Sequence, residues 1–148
     1  FKMGVDQEKT WYFDVMHPNF TIFHKMIIHF SDIWSYYDDD FQTCYQNIIN
    51  DMETYKDVKG PKGKEGQPPN FFCISCVPWM DFTGYSTWVP TGRPNLFPII
   101  TFGKYVEEEG RRRLSAALTI SHASADGYHA SMFFERLQEV LDEFVIDQ

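Results

Sequence analysis

The sequence contains few cysteines, few basic residues and no long apolar segment. The sequence has three cysteines, Cys44, Cys73 and Cys76, and this low, odd number does not indicate a disulfide framework. We therefore expect the protein to be located in a reducing cytoplasm. No apolar run reaches the ~18 residues that a membrane-spanning helix needs. Lys and Arg total 13 against 21 Asp and Glu, and the resulting net charge of −8 argues against nucleic-acid binding and a polybasic membrane contact.

Several motifs of common enzyme classes are also missing. There is no Gly-x-Ser-x-Gly nucleophile elbow, which argues against an α/β-hydrolase. Neither common type of glycine-rich phosphate loop occurs. No pair of histidines has the close spacing of a zinc motif, so we predict no metal site.

Aromatic residues are abundant, with 14 Phe, 8 Tyr and 4 Trp in a chain that is 43% hydrophobic. Such side chains suit a sheet packed under helices, and equally a pocket for a flat ligand. The 148 residues fit one domain with a real core. Because the chain starts Phe1-Lys2-Met3-Gly4 without an initiating Met, we expect it to be part of a longer gene product.

Residue periodicity predicts an α+β two-layer sandwich, a mixed and largely antiparallel sheet with helices packed on one face, as a single domain over 1–148. The predicted elements are strands over 10–15 and 20–24, a helix from Phe41 to Tyr55, a Gly/Pro/Lys-rich surface loop over 59–70, strands over 70–78, 98–106 and 112–123, and a helix over 128–144.

The segment from Ser121 to Gly127 carries the clearest candidate for chemistry. His122 lies where a predicted strand ends, and histidine readily takes up and releases a proton near neutral pH. Asp126 precedes a predicted helix, where a carboxylate caps and orients. By spacing alone, a surface histidine beside a capping aspartate is the commoner interpretation.

Ser75 is a hydroxyl within an otherwise apolar predicted strand. A buried hydroxyl needs a partner, which is either a neighbouring carbonyl or an oxyanion formed during a reaction. Cys73 and Cys76 flank it, but positions three apart on a strand face opposite sides, so we interpret both as packed apolar residues.

The next predicted strand contains the polar Thr101 and reaches Lys104 and Tyr105 near its end. Lysine and tyrosine there can hold a phosphate and stack a base. A solvated strand end explains them equally well from sequence alone.

Together these segments resemble the chloramphenicol acetyltransferase family. The matching stretches are 20–24 (FTIFH), 74–79 (ISCVPW), 98–105 (PIITFGKY) and 122–129 (HASADGYH), followed by the helix through Phe134, Leu137 and Gln138. They occur in the family's order and cover nearly the whole chain. The resemblance implies a homotrimer with active sites between subunits, acetyl-CoA as co-substrate, chloramphenicol or a similar small molecule as acceptor, and no metal.

The resemblance also implies a role for each matching residue. His122 matches the general base and Ser75 the hydroxyl that stabilises the tetrahedral intermediate. Thr101 matches a threonine that assists through water, and Asp126 a structural carboxylate. The residues that match ligand contacts are Lys104 and Tyr105 for coenzyme A, and Phe30, Tyr85, Thr87 and Ile99 for the acceptor.

This sequence departs from the family pattern at several positions. Ser121 stands where a second histidine is usual, Ala125 where cysteine is common, and Thr87 where a pocket leucine occurs. A pocket phenylalanine is lost within the loop after Lys59. We also expect the chain to lack an N-terminal segment of the family, which includes the arginine that would pair with Asp126.

These departures leave three alternatives open. In the first, the acceptor is a hydroxylated molecule other than chloramphenicol. In the second, the chain is an inactive relative that only binds its ligand. In the third, the chain is a lipoyl-type acyltransferase core, which shares the His-x-x-x-Asp-Gly string.

Overall fold

A computed structural model describes residues 3–6, 9–24, 29–87 and 96–144, which include every candidate site residue. The elements in chain order are β1 (Met3–Asp6), β2 (Lys9–Tyr12), β3 (His17–His24), β4 (His29–Trp34), α1 (Phe41–Tyr55), β5 (Phe71–Cys76), β6 (Ile99–Glu108), β7 (Arg111–Thr119) and α2 (Gly127–Glu143).

Five strands form one mixed sheet in the order β4-β3-β5-β6-β7. The β3–β4 and β6–β7 pairs are antiparallel, whereas β3–β5 and β5–β6 are parallel. Strands β1 and β2 form a separate antiparallel pair. The α+β fold class is therefore confirmed, and three of the five pairings in the described ranges are antiparallel.

Local signals explain where most elements begin and end. Asp40 caps α1 by accepting a hydrogen bond from the Thr43 backbone at 2.8 Å. Glu109 and Gly110 join β6 to β7 with φ of 51° and 76°, the positive values that a tight hairpin turn requires. No helix in the described part of the chain is long and apolar enough to cross a membrane.

Strand β4 is an element that the sequence analysis did not predict. Its alternation is inverted, because Ser31 is fully buried while the neighbouring Phe30 is 45% exposed. Ser31 is satisfied inside, since its hydroxyl donates to the carbonyl of Gly60 at 2.6 Å and lies 2.9 Å from Nε2 of His24. Because a polar residue occupies an inward-facing position, the sequence does not show the apolar alternation by which a strand is predicted.

The loop over 59–70 lies on the surface, as predicted, but it is fastened to β4. The backbone of Asp32 donates to Pro61 and accepts from Gly63, both at 2.8 Å. Lys64 pairs with Asp51 of α1 at 2.7 Å and lies 4.3 Å from the centre of the Trp34 ring. The loop thus ties the edge strand to the helix.

Candidate active site

His122 lies in a turn between β7 and α2, where the sequence predicts the end of a strand and the start of a helix. The carbonyl of Ser121 accepts from the backbone of Ser124 at 2.8 Å and of Ala125 at 3.2 Å, which closes the turn. The Nδ1 atom of His122 lies 3.2 Å from the carbonyl oxygen of Ala125. Because a carbonyl only accepts, Nδ1 carries a proton, and in the neutral imidazole Nε2 is then the nitrogen with the free lone pair.

The His122 side chain is exposed in the single chain. Its recorded hydrogen bond is to Ala125, and none in the described residues joins it to Ser75 or Thr101. Among the described residues, His122 is therefore separate from the hydroxyls of Ser75 and Thr101 in their hydrogen bonding.

Asp126 occupies the N-cap of α2, as its position predicts. Its carboxylate accepts from the backbone of His129 at 3.1 Å and lies 2.6 Å from Nδ1 of the same residue. These hydrogen bonds, the backbone one foremost, lower the pKa of Asp126. Among the described residues its ion-pair partner is His129, not an arginine.

Four candidate residues share one side of the sheet. Ser75 pairs with Thr101, and two residues earlier Cys73 pairs with Ile99. Alternation along β5 and β6 therefore places Ser75, Thr101 and Ile99 on the same face. Phe30, opposite Phe23 in the β3–β4 register, also lies on this side, which we call the Ser75 face.

Thr101 is 1% exposed, and its hydroxyl has no hydrogen-bond partner among the residues that the structure describes. A buried hydroxyl without a partner is rare because desolvation costs it its water contacts. Ser75 beside it is half-buried. The pair therefore offers two neighbouring hydroxyls on one face of the sheet.

Aromatic rings line part of the Ser75 face. Phe23 lies 4.9 Å from Phe30 and 5.5 Å from Trp79, measured between ring centres. The sequence analysis assigned no role to Phe23 or Trp79, although both belong to the matching segments. The signal was present, but only the fold brings β3, β4 and the segment after β5 together.

The remaining acceptor candidates follow that segment. Tyr85 is half-buried, with its ring 5.4 Å from Phe82. The hydroxyl of Thr87 is buried and has no partner within the described ranges.

Lys104 and Tyr105 lie within β6 rather than at its end, because this strand continues to Glu108. The β6–β7 register shifts between Phe102 and Tyr105, so Lys104 belongs to a β-bulge and Tyr105 directly follows it. Both side chains are exposed, and the Arg112 guanidinium lies 5.9 Å from the centre of the Tyr105 ring. The exposed ring and lysine leave room for a ligand.

Two other features bear on the site. A cleft of about 1200 Å³ lies between the β6–β7 hairpin and α2, lined among others by Arg111, Leu114, Gln138 and Leu141. It contains no predicted site residue. Within the described ranges, no group of three His, Cys, Asp or Glu residues could hold a metal ion.

Cys73 and Cys76 are not a redox pair. All three cysteines are free, Cys73 is half-buried and Cys76 is exposed. Burial raises the pKa of Cys73 to about 11, and its thiol lies 3.5 Å from Oδ1 of Asn19. The interpretation of both cysteines as packed residues therefore fits Cys73 and is wrong for Cys76, which lies at the end of β5 with its side chain exposed.

Comparison with solved structures supports the fold. A chloramphenicol acetyltransferase superposes with a TM-score of 0.75 at 22% identity, covering 94% of this chain and 68% of the other. The dihydrolipoamide acetyltransferase (E2p) of Azotobacter vinelandii superposes with a TM-score of 0.65 at 16% identity, over 97% of this chain and 61% of the other. At these identities the likeness establishes the fold alone.

Sequence comparison goes further. Chloramphenicol acetyltransferases of Clostridium perfringens and Bacillus pumilus are each 37% identical to this chain, over 97% and 99% of its length. The chain spans about two thirds of these relatives, 66% and 68% of their lengths. The sequence profile for chloramphenicol acetyltransferase matches residues 1–138. The chain therefore belongs to the chloramphenicol acetyltransferase family, a family of acyltransferases.

Proposed function

We propose that this protein transfers an acetyl group from acetyl-CoA to a hydroxyl of chloramphenicol or a similar small molecule, with His122 as the general base. The observation that supports this most strongly is the hydrogen bond between Nδ1 of His122 and the carbonyl of Ala125. It holds the ring in the tautomer whose Nε2 accepts a proton, and the side chain is exposed to a substrate.

The reaction is a direct transfer. The acceptor oxygen attacks the thioester carbonyl while its proton passes to Nε2 of His122. The C–O bond forms, the C–S bond breaks, and the proton moves on to the coenzyme A thiolate. No covalent acyl-enzyme arises, because His122 has no serine or cysteine nucleophile as a hydrogen-bond partner in the described part of the chain.

Ser75 donates to the oxyanion that develops on the thioester carbonyl. Thr101, adjacent in register, assists through a water that its unpartnered hydroxyl binds. Asp126 keeps the turn and the start of α2 in place. A positioned donor of the Ser75 kind contributes ~10²–10³ in turnover.

Coenzyme A contacts Lys104 and Tyr105, whose exposed side chains suit a phosphate and an adenine ring. The free cysteines are consistent with a cytoplasmic location, where thiols stay reduced.

The working form is a homotrimer in which His122 of one subunit faces the Ser75 face of its neighbour. Exposure of His122 in the single chain supports this, as do the exposed apolar side chains of both helices, among them Phe41, Tyr45, Met132 and Leu141. A helix of a single folded unit normally buries its apolar stripe.

The acceptor pocket is lined by Phe30, Tyr85, Thr87 and Ile99. Thr87 is the informative member, because its buried hydroxyl has no partner among the residues that the structure describes. An acceptor with a polar group at that position satisfies the hydroxyl, whereas an apolar ring leaves it unpaired at a cost of about 1–3 kcal/mol. Acceptors more polar than chloramphenicol at this contact are therefore favoured.

The test is an assay of thiol release from acetyl-CoA with a panel of acceptors: chloramphenicol, more polar hydroxylated analogues, and dihydrolipoamide. Acetylation of a hydroxyl acceptor is the expected result, and preference for dihydrolipoamide would favour the lipoyl-type alternative. No turnover with any acceptor by the trimeric protein would favour an inactive relative. Labelled acetyl retained on the protein would contradict direct transfer.

A further inference from the structure

A short segment after β5, residues 77–82, crosses the Ser75 face above β6. The Val77 backbone donates to Phe102 at 2.8 Å, and the Lys104 backbone donates to the carbonyl of Met80 at 2.9 Å. The two bonds bracket Gly103, which is buried. The crossing segment therefore lies directly on the β-bulge.

The bulge needs both this segment and a glycine. Phe102 pairs with Ala116 and Tyr105 with Leu114, so Gly103 and Lys104 together oppose the single residue Ser115. A Cβ at position 103 would lie 3.0 Å from both the Met80 carbonyl and the Phe82 ring. In a regular strand, Tyr105 would point to the Ser75 face. The extra residue of the bulge reverses this, so Tyr105 points to the same side of the sheet as Phe102.

Asp81 ties the same segment to the opposite strand. Its carboxylate accepts from the hydroxyl of Ser115, the residue facing the bulge, and from Nη2 of Arg113 at 3.1 Å. The Ser115 hydrogen bond, with the help of Arg113, lowers the pKa of Asp81. Met80 thus bonds to the bulged strand β6, and Asp81 bonds to the neighbouring strand β7.

We propose that Asp81 is a positioning residue for coenzyme A: by fastening the crossing segment to β7, it fixes the bulge that presents Lys104 and Tyr105. The inference rests on the proposed function, because it takes these two residues as the coenzyme A contacts. Asp81 is remote in sequence from Lys104 and Tyr105, and in the described structure its hydrogen bonds go to neither of their side chains.

The matched control is Glu108. Its carboxylate also pairs with Arg113, at 3.4 Å, and its removal changes the net charge by the same amount. Glu108 does not contact the crossing segment in the described residues. Both Asp81→Ala and Glu108→Ala therefore remove one negative charge near the ligand, but only Asp81→Ala also removes the hydrogen bonds that hold the crossing segment on β7.

Two measurements on the full chain test the proposal. Titration calorimetry with coenzyme A should show a Kd raised roughly 2- to 30-fold in Asp81→Ala, the range for residues that act on a site without touching its ligand, and nearly unchanged in Glu108→Ala. Hydrogen exchange at the Lys104 amide should accelerate in Asp81→Ala alone, because that amide donates to Met80. If Asp81→Ala does not fold, Ser115→Ala takes its place, since it removes one of the two anchors without changing charge.

Each outcome decides the matter. An unchanged Kd in Asp81→Ala, or equal shifts in both variants, overturns the positioning role while leaving the proposed function intact. If the unsubstituted chain binds no coenzyme A, the proposed function is wrong and this inference with it, and the exchange data then report only a structural anchor.

Discussion

The Nδ1 atom of His122 donates to the carbonyl oxygen of Ala125, three residues further along the same turn, at 3.2 Å. Ala125 is buried and immediately precedes Asp126, the cap of α2. One turn therefore sets the tautomer of the histidine and the start of the helix together. This coupling explains why the base and the capping carboxylate lie only four residues apart.

Replacing His122 by Ala should lower kcat by ~10²–10⁴, because the acceptor hydroxyl then lacks a base. The KM for acetyl-CoA should change little, since the imidazole acts on the acceptor. Steady-state kinetics with an active acceptor measures both. His29→Ala is the control, a histidine adjacent to Phe30 that faces the other side of β4. Retention of full activity by His122→Ala would exclude this residue as the base.

Ser75→Ala should lower kcat by ~10²–10³ and leave both KM values nearly unchanged, because the oxyanion exists only in the transition state. Ser131→Ala offers a matched loss of a hydroxyl, since that serine bonds its own helix at Gly127. A rise in KM alone would show that Ser75 binds substrate instead.

Asp126→Ala should destabilise α2 more than Asp126→Asn, because asparagine also accepts a hydrogen bond at an N-cap. The folded pKa of Asp126 lies below its ordinary value of 3.8, so its contribution is fully present above that value and disappears as pH falls through the lowered one. Thermal melts from pH 7 to pH 2 should show the gap between wild type and Asp126→Ala closing at the acid end. A gap independent of pH would contradict this account.

Cys73 should react with iodoacetamide far more slowly than Cys76 in the folded protein. With a pKa of about 11, only about one Cys73 thiol in a thousand is ionised at pH 8. Burial slows it further, whereas Cys76 is exposed. Peptide mapping of alkylation over time gives both rates, and a denatured sample, in which the difference should vanish, is the control.

Gly63→Ala should destabilise the fold by about 1–3 kcal/mol, as overpacking does. The new Cβ would lie 2.8 Å from Cγ2 of Ile33, a side chain with 0% exposure, and 3.3 Å from the Asp32 carbonyl. Urea denaturation measures the change. At Gly84 a Cβ would meet no atom of the described residues within 4 Å, so Gly84→Ala should stay within about 0.5 kcal/mol of wild type. Equal stability of the two variants would show that the loop can move away from β4.

Signals confined to a few neighbouring residues were sufficient for much of this molecule. The α1 helix begins at Phe41 after an aspartate cap, and α2 follows Asp126 in the same way. The β6–β7 turn lies between the strands predicted over 98–106 and 112–123 and contains Gly110 at positive φ. Such features are decided by hydrogen bonds and backbone angles within one turn, so a single sequence reveals them.

Other features depended on distant partners. Strand β4 escaped prediction because Ser31 is buried against the loop carbonyl of Gly60, almost thirty residues away. At the bulge before Tyr105, Met80 accepts from the Lys104 backbone and Asp81 accepts from the Ser115 hydroxyl, and both belong to the segment after β5. The residues that neighbour these positions in the sequence give no indication of such contacts.

The sequence by itself determined the turn around His122 and the two helices, because each follows from local geometry, whereas the β5–β6 register that places Ser75, Thr101 and Ile99 on one face is a tertiary pairing. Only the tertiary structure decided that the buried Thr101 hydroxyl has no partner in the described part of the chain, that the Phe23 ring contacts Phe30 and Trp79, and that His122 is exposed in a single chain. Burial is a property of everything that packs around a residue, and segments far apart in the chain supply it.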